Sequence, residues 1–70
     1  MNEMYEVTVT TEVMVYDPPS TDKRITLQKG DLLEFQEDSF YSWIMLVATG
    51  EAKGEWIYLD KPITFIKEVS

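Results

Sequence analysis

The sequence contains no cysteine and no histidine. Without cysteine the chain can form neither a disulfide nor a thiolate metal site. Without histidine it lacks the usual general base, the usual metal ligand and the triad chemistries that need imidazole. Paired carboxylates alone can perform acid–base chemistry, but no nucleophile stands beside a base. We therefore expect a protein that is not an enzyme and that uses no cofactor or metal.

Long apolar runs are also missing. No segment reaches the roughly 18 consecutive apolar residues that would span a membrane. The N-terminal sequence MNEM lacks the basic and apolar regions of a secretion signal. These two absences predict a cytoplasmic protein.

Basic residues are few, since six Lys and Arg stand against 13 Asp and Glu, for a net charge of −7. Nucleic acids and anionic lipids both require a basic patch, so we expect no direct binding to nucleic acid or membrane. The charge fits either simple solubility or attraction to a basic surface on a partner protein.

The chain has 70 residues, of which 44% are hydrophobic. This length allows one domain, residues 1–70, and the apolar fraction favours a folded domain over a disordered tail. A chain this short buries only about 60% of the surface that its unfolded form exposes. The core must therefore be small.

A period of two opens the chain, because Tyr5, Val7 and Val9 alternate with polar residues and the pattern continues to Val15. This alternation of β-branched residues predicts a strand over residues 5–15. The segment is longer than most strands, so we expect a bend or bulge near residues 10–11. The sequence DPPSTD at residues 17–22 predicts a turn that leaves the sheet.

Residues 24–35, RITLQKGDLLEF, predict two strands joined as a hairpin at Gly30, where a positive φ is expected. Three further apolar runs predict strands, at residues 40–48, 55–59 and 63–69, joined by turns at 36–39, 49–54 and 60–62. A helix over residues 40–48 is the competing prediction, but residues 39–42 are poor helix formers. The expected core residues are Ile25, Leu27, Leu33, Leu46 and Ile57, together with Trp56. These elements predict an all-β fold, a small barrel of five to six short antiparallel strands.

Over residues 13–69 the order of these features resembles the SH3 domain family. The sequence MVYDP at residues 14–18 is similar to the ALYDY strand that opens these domains, and residues 18–24 match their long RT loop. Residues 24–35 are similar to the family's signature hairpin. Trp43 has the spacing of the tryptophan in its third strand, and GEWIYL at residues 54–59 is similar to its final motif. The resemblance implies an SH3-like barrel with residues 1–12 as an additional N-terminal strand.

SH3 domains bind proline-rich peptides in a groove of parallel aromatic rings. Where the family has an aromatic, a proline and a second aromatic, this chain has Pro18, Ile57 and Asp60. Only Tyr16 and Trp43 match the expected rings. We therefore expect weak or absent binding of polyproline peptides.

The leading hypothesis is a non-catalytic protein–protein interaction module that uses an aromatic and acidic face. Aromatic side chains with a polar group dominate interface hot spots, and carboxylates attract Arg and Lys. The resemblance implies that acid-bearing loops lie on one rim near an exposed Trp43. The expected partner-binding residues are Tyr16, Asp17, Asp22, Glu37, Asp38, Tyr41, Trp43 and Tyr58.

Two other hypotheses stay open. The chain can be a small acidic inhibitor or nucleic-acid mimic, of the kind that some viruses encode, which blocks a basic groove of a target enzyme. It can also be a structural accessory subunit of a larger complex. Steep loss of affinity with salt favours the mimic, whereas a large apolar surface patch favours the subunit.

Overall fold

The computed structural model describes residues 2–17 and 22–70. In this part of the chain the regular structure is seven β-strands and no helix. The strands are β1 (Met4–Val7), β2 (Thr11–Val15), β3 (Arg24–Leu27), β4 (Leu32–Asp38), β5 (Ser42–Val47), β6 (Trp56–Asp60) and β7 (Ile66–Glu68). The all-β prediction is confirmed, with seven strands instead of five to six. Most of the predicted turn at residues 17–22 lies outside the described residues.

All seven strands belong to one antiparallel sheet, in the order β3-β2-β6-β5-β4-β1-β7, which curls into a half-barrel. The predicted long N-terminal strand is interrupted at residues 8–10, close to the expected bend. The interruption matters because β1 pairs with β4 and β7, whereas β2 pairs with β3 and β6. The first segment of the chain therefore contributes to both halves of the curled sheet.

The core lies on the inner face of the sheet, where alternate residues of the strands meet. Its buried members are Val7, Val13, Val15, Leu27, Leu33, Met45, Val47, Ile57 and Leu59. Burial of Leu27, Leu33 and Ile57 was expected, and Ile25 packs against the core as a partly buried residue. The apolar face predicted for each of these strands is therefore the inner face of the half-barrel.

Leu46 and Trp56, both expected in the core, lie instead on the outer face of the sheet. They are paired directly across β5 and β6, so their side chains point to the same side. Leu46 is half-buried and Trp56 is 44% exposed, whereas the neighbouring Met45 and Ile57 are fully buried. The prediction was wrong because neighbouring residues of a strand point to opposite faces, and apolar residues occupy both faces of β5 and β6.

The tight turn expected at Gly30 is present. Gly30 has φ +96°, its N–H donates to the Val7 carbonyl at 2.8 Å, and the Asp31 N–H donates to the Gln28 carbonyl at 3.0 Å. The hairpin prediction is wrong, because the flanking strands do not pair with each other. β3 pairs with β2 at one edge of the sheet and β4 lies between β5 and β1. The turn thus carries the chain across the half-barrel and lets both strands reach the core.

The predicted turn at residues 36–39 is displaced along the chain. β4 continues to Asp38, and its register against β5 shifts between Phe35 and Glu37, which marks a β-bulge. The turn between β4 and β5 therefore occupies residues 39–41, and Phe40 and Tyr41 belong to it instead of to a strand. The turn at residues 49–54 lies where it was predicted, whereas β6 continues through Asp60 and the predicted turn at 60–62 begins at Lys61.

Candidate functional site

The structure does not bring the eight expected site residues together on one surface. Trp43 lies opposite Leu59 on the inner face and is partly buried against the core. Its ring centroid is 5.3 Å from that of Tyr5 and 5.2 Å from that of Phe35, the second contact being edge-on. Trp43 therefore packs within an aromatic cluster at one end of the half-barrel and is not the exposed anchor that the sequence predicts.

Tyr16 and Tyr58 lie on the opposite, outer face. Their rings stack at a centroid distance of 6.0 Å with an interplanar angle of 10°. Glu37 is paired with Ile44, which also places it on the outer side. The outer face therefore holds three of the expected residues, separated from Trp43 by the thickness of the sheet.

Asp17 and Asp22 are exposed and flank residues 18–21, which lie outside the described residues. They adjoin β2 and β3, neither of which pairs with β5, the strand of Trp43. The described residues therefore do not assemble the acidic lip predicted around Trp43. Asp38 alone of the four acids lies opposite Trp43.

The remaining expected residues lie at or beside the turn between β4 and β5: Asp38 ends β4 opposite Trp43 in β5, and Tyr41 belongs to the turn. The turn also holds Phe40. We call these four residues the β4–β5 site. Phe40 is 84% exposed and Tyr41 is 75% exposed, and their rings meet edge-on at 4.6 Å. A pair of aromatic rings held in contact in water offers a large apolar surface for a partner.

Hydrogen bonds hold the turn in one shape. The Ser39 N–H and hydroxyl both donate to the Ser42 carbonyl at 2.9 Å. The Lys61 N–H donates to the Tyr41 carbonyl at 2.9 Å, and its ammonium donates to the Ser39 carbonyl at 2.7 Å. The aromatic pair therefore stands on a braced turn, and little entropy should be lost when a partner covers it.

Lys61 also sets the charge of the site. Its ammonium lies 2.7 Å from the Asp38 carboxylate. This hydrogen bond and the positive charge hold the pKa of Asp38 below its ordinary value, and the Trp43 indole N–H acts in the same direction. Asp38 therefore stays ionised and paired with Lys61 at neutral pH.

Phe40 is the member of the β4–β5 site that the sequence did not predict, because it was assigned to a buried strand. The available signal was its position between Ser39 and Tyr41 in the polar-flanked sequence SFYS. Serine hydroxyls satisfy local backbone groups in turns, as Ser39 does here.

Within residues 2–17 and 22–70, no group of three or more Asp and Glu side chains is arranged to hold a metal ion. The same residues include no helix with the length and apolar character needed to cross a bilayer. No family model matches the sequence, and comparisons with curated proteins and with solved structures give no match.

Proposed function

We propose that this chain is a non-catalytic protein-interaction domain with an SH3-like barrel, and that it contacts a partner protein through the β4–β5 site. The observation that carries the proposal is the exposure of Phe40 and Tyr41, which project side by side from a braced turn. An exposed apolar patch is more informative than a single exposed apolar residue, and aromatic residues are enriched at interfaces.

The roles within the β4–β5 site differ. Phe40 and Tyr41 supply apolar area, and the Tyr41 hydroxyl can bond to the partner at the rim of the contact. Trp43 supports the turn from the inner face through its contacts with Tyr5 and Phe35. The excess of acidic residues over the whole chain favours a partner with a basic surface, by raising the rate of encounter. Its cytoplasmic location stays a prediction from the sequence.

Proline-rich peptides are not the expected ligands. A polyproline groove needs its rings on one surface, and here Tyr16 lies on the outer face while Trp43 lies on the inner face. A titration with PxxP peptides, followed by amide chemical shifts, should give no saturable change. Micromolar binding would contradict this expectation.

The proposal is tested by affinity capture from a lysate of the source cell, comparing the wild-type chain with the double variant Phe40→Ser/Tyr41→Ser. Val9→Ser is the matched control, since Val9 is also an exposed hydrophobic residue, at 60%, but lies between β1 and β2. We expect a protein that the wild type and the control retain and that the double variant loses.

Equal capture by all three chains, or no specific capture, would overturn the proposal. A salt series separates the competing charge mimic. Binding through an apolar aromatic pair should fall modestly as salt rises, whereas a mimic of nucleic acid should lose affinity steeply.

A further inference from the structure

The outer face of the half-barrel carries an apolar surface that the proposed function does not use. It consists of six side chains, which we call the outer patch: Met14, Tyr16, Ile44, Leu46, Trp56 and Tyr58. Five of them lie on the adjacent strands β2, β6 and β5, and Tyr16 directly follows β2.

The strand register aligns these side chains in two rows. In one row Tyr58 is paired with Ile44 on β5 and with Met14 on β2. Residues paired directly across antiparallel strands project to the same side of the sheet, so the three side chains are neighbours.

The second row is centred on Trp56, which is paired with Leu46. On its other side the Tyr16 N–H donates to the Trp56 carbonyl at 2.8 Å, which places Tyr16 beside it. Stacking of Tyr16 on Tyr58 at 6.0 Å then joins the two rows. The outer patch is therefore continuous.

Water reaches this surface. Trp56 is 44% exposed and Tyr16 is 41% exposed, and the other four side chains are half-buried. The described residues form a single sheet, with no helix or second sheet among them to cover its outer face. A sheet face that only meets water is normally polar, and a contiguous apolar patch on it marks an interaction surface.

Acidic side chains surround the outer patch. On the β4 side, Glu34 is paired with Leu46 and Glu37 with Ile44. The Glu34 carboxylate also accepts a 2.7 Å hydrogen bond from the Gln36 amide.

At the opposite side, Glu12 and Asp60 line a shallow hollow that Met14 and Tyr58 also border. Among the described residues that pair with the outer patch, Arg24 is the one cation. The rim therefore presents four carboxylates, those of Glu12, Glu34, Glu37 and Asp60, against one guanidinium.

We propose that the outer patch is a second docking surface, which binds a protein segment whose apolar side chains are framed by Lys or Arg. Charge complementarity selects this occupant. A second copy of the chain would bring acidic rims together on two molecules that each carry a net charge of −7, which opposes self-association. The proposal does not depend on the β4–β5 site, which lies on a different part of the surface.

The probe for this proposal is a short amphipathic helical peptide of leucine and lysine, and the matched control peptide has glutamate in place of lysine. Two-dimensional amide spectra of the chain are recorded during titration with each peptide. We expect saturable shifts at Met14, Leu46, Trp56 and Tyr58 with the lysine peptide and none with the glutamate peptide.

A variant series assigns the contact. Trp56→Gln should weaken binding of the lysine peptide about tenfold or more, and Leu46→Gln should act in the same direction. Val69→Gln should leave affinity unchanged, because Val69 has a similar exposure of 46% but follows β7, at the far edge of the sheet. Thermal melts confirm that each variant is folded.

Three results would overturn the proposal. The first is no saturable shift with the lysine peptide. The second is a shift confined to Phe40 and Tyr41, which would assign the peptide to the β4–β5 site instead. The third is concentration-dependent self-association in sedimentation velocity that Trp56→Gln abolishes, since this would make a second copy the occupant.

Discussion

Substitution of Gly50 by alanine should destabilise the chain by two separable effects. Gly50 lies in the turn between β5 and β6 with φ +82°, a conformation that residues with a Cβ rarely adopt. A Cβ built at this position would lie 2.6 Å from Oδ1 of Asp31. That carboxylate is held in place, because Oδ2 accepts the Gln28 N–H at 2.9 Å and Oδ1 accepts the Thr49 hydroxyl at 3.4 Å.

The magnitude follows from these contacts. The positive φ alone costs a residue with a Cβ about 1–2 kcal/mol. The Asp31 carboxylate can move away only by weakening its hydrogen bonds, each of which contributes about 1 kcal/mol. Gly50→Ala should therefore lower the free energy of unfolding by about 2–4 kcal/mol.

Gly30→Ala is the matched control. Gly30 has φ +96°, but a Cβ there would meet nothing within 4 Å. It should cost about 1–2 kcal/mol, the conformational part alone. If Gly30→Ala is as stable as the wild type or more stable, the argument from the positive φ is wrong.

The assay is urea unfolding followed by tryptophan fluorescence, repeated in the Asp31→Ala background. Removing the Asp31 carboxylate removes the atoms that a Cβ at Gly50 would meet. The cost of Gly50→Ala should then fall to that of Gly30→Ala, and the difference is the coupling energy between the two positions. An equal cost of Gly50→Ala in both backgrounds would refute the steric part of the reasoning.

Three further predictions concern the core and the two perturbed ionisable groups. Leu33→Ala should cost about 2–5 kcal/mol in urea unfolding, and Leu46→Ala on the outer face less than half as much; equal costs would contradict the assigned faces. Lys61→Met should raise the pKa of Asp38 toward its ordinary value in a carboxyl NMR titration. Because the pKa of Asp38 is lowered in the folded chain, the Asp38–Lys61 pair stabilises the fold above about pH 4. This contribution to stability is lost as pH falls through the folded pKa. The pKa of Tyr5 is raised to about 12, first by burial and then by the hydrogen bond of its hydroxyl to the Glu3 carboxylate. Ultraviolet titration should therefore show one late-ionising tyrosine that Tyr5→Phe removes, and stability should decline as pH rises from about 10 toward 12.

Features that depend on local sequence were predictable. The alternation in residues 5–15 identified strand structure, because side-chain direction in a strand has a period of two, and the length of the segment indicated the interruption within it. Gly30 was identified from its place between two strand patterns, since glycine accepts the positive φ that the turn requires. Both inferences need only residues that are neighbours in the chain.

The pairing of strands was not predictable in the same way. Arg24–Leu27 and Leu32–Asp38 are adjacent in sequence and look like the arms of a hairpin, yet they lie four places apart in the sheet. Which strands pair depends on contacts distant in sequence, including the return of β7 to β1. The turn at Gly30 was therefore predictable from the local sequence, whereas the pairing of the two strands beside it was not.

The predicted exposure of Trp43, in the predicted strand over residues 40–48, was wrong for a related reason. Residues 43–47, WIMLV, are all apolar, so no alternation shows which of them face the core. The structure buries Met45 and Val47 and sends Ile44 and Leu46 outward. The positional match of Trp43 to the SH3 family could not reveal its direction, which is set by packing against Tyr5 and Phe35.

The absence of alternation in that segment nevertheless carried information about the surface. A strand in a one-layer sheet needs apolar residues on one face only, so apolar residues on both faces call for a second covering surface. β5 has this property, and so do β2 and β6, where Met14 and Tyr58 face outward between buried residues. In β3, by contrast, Arg24 and Thr26 alternate with Ile25 and Leu27. β2, β6 and β5 are neighbours in the sheet, so their outward apolar side chains form one continuous surface, as a docking surface requires.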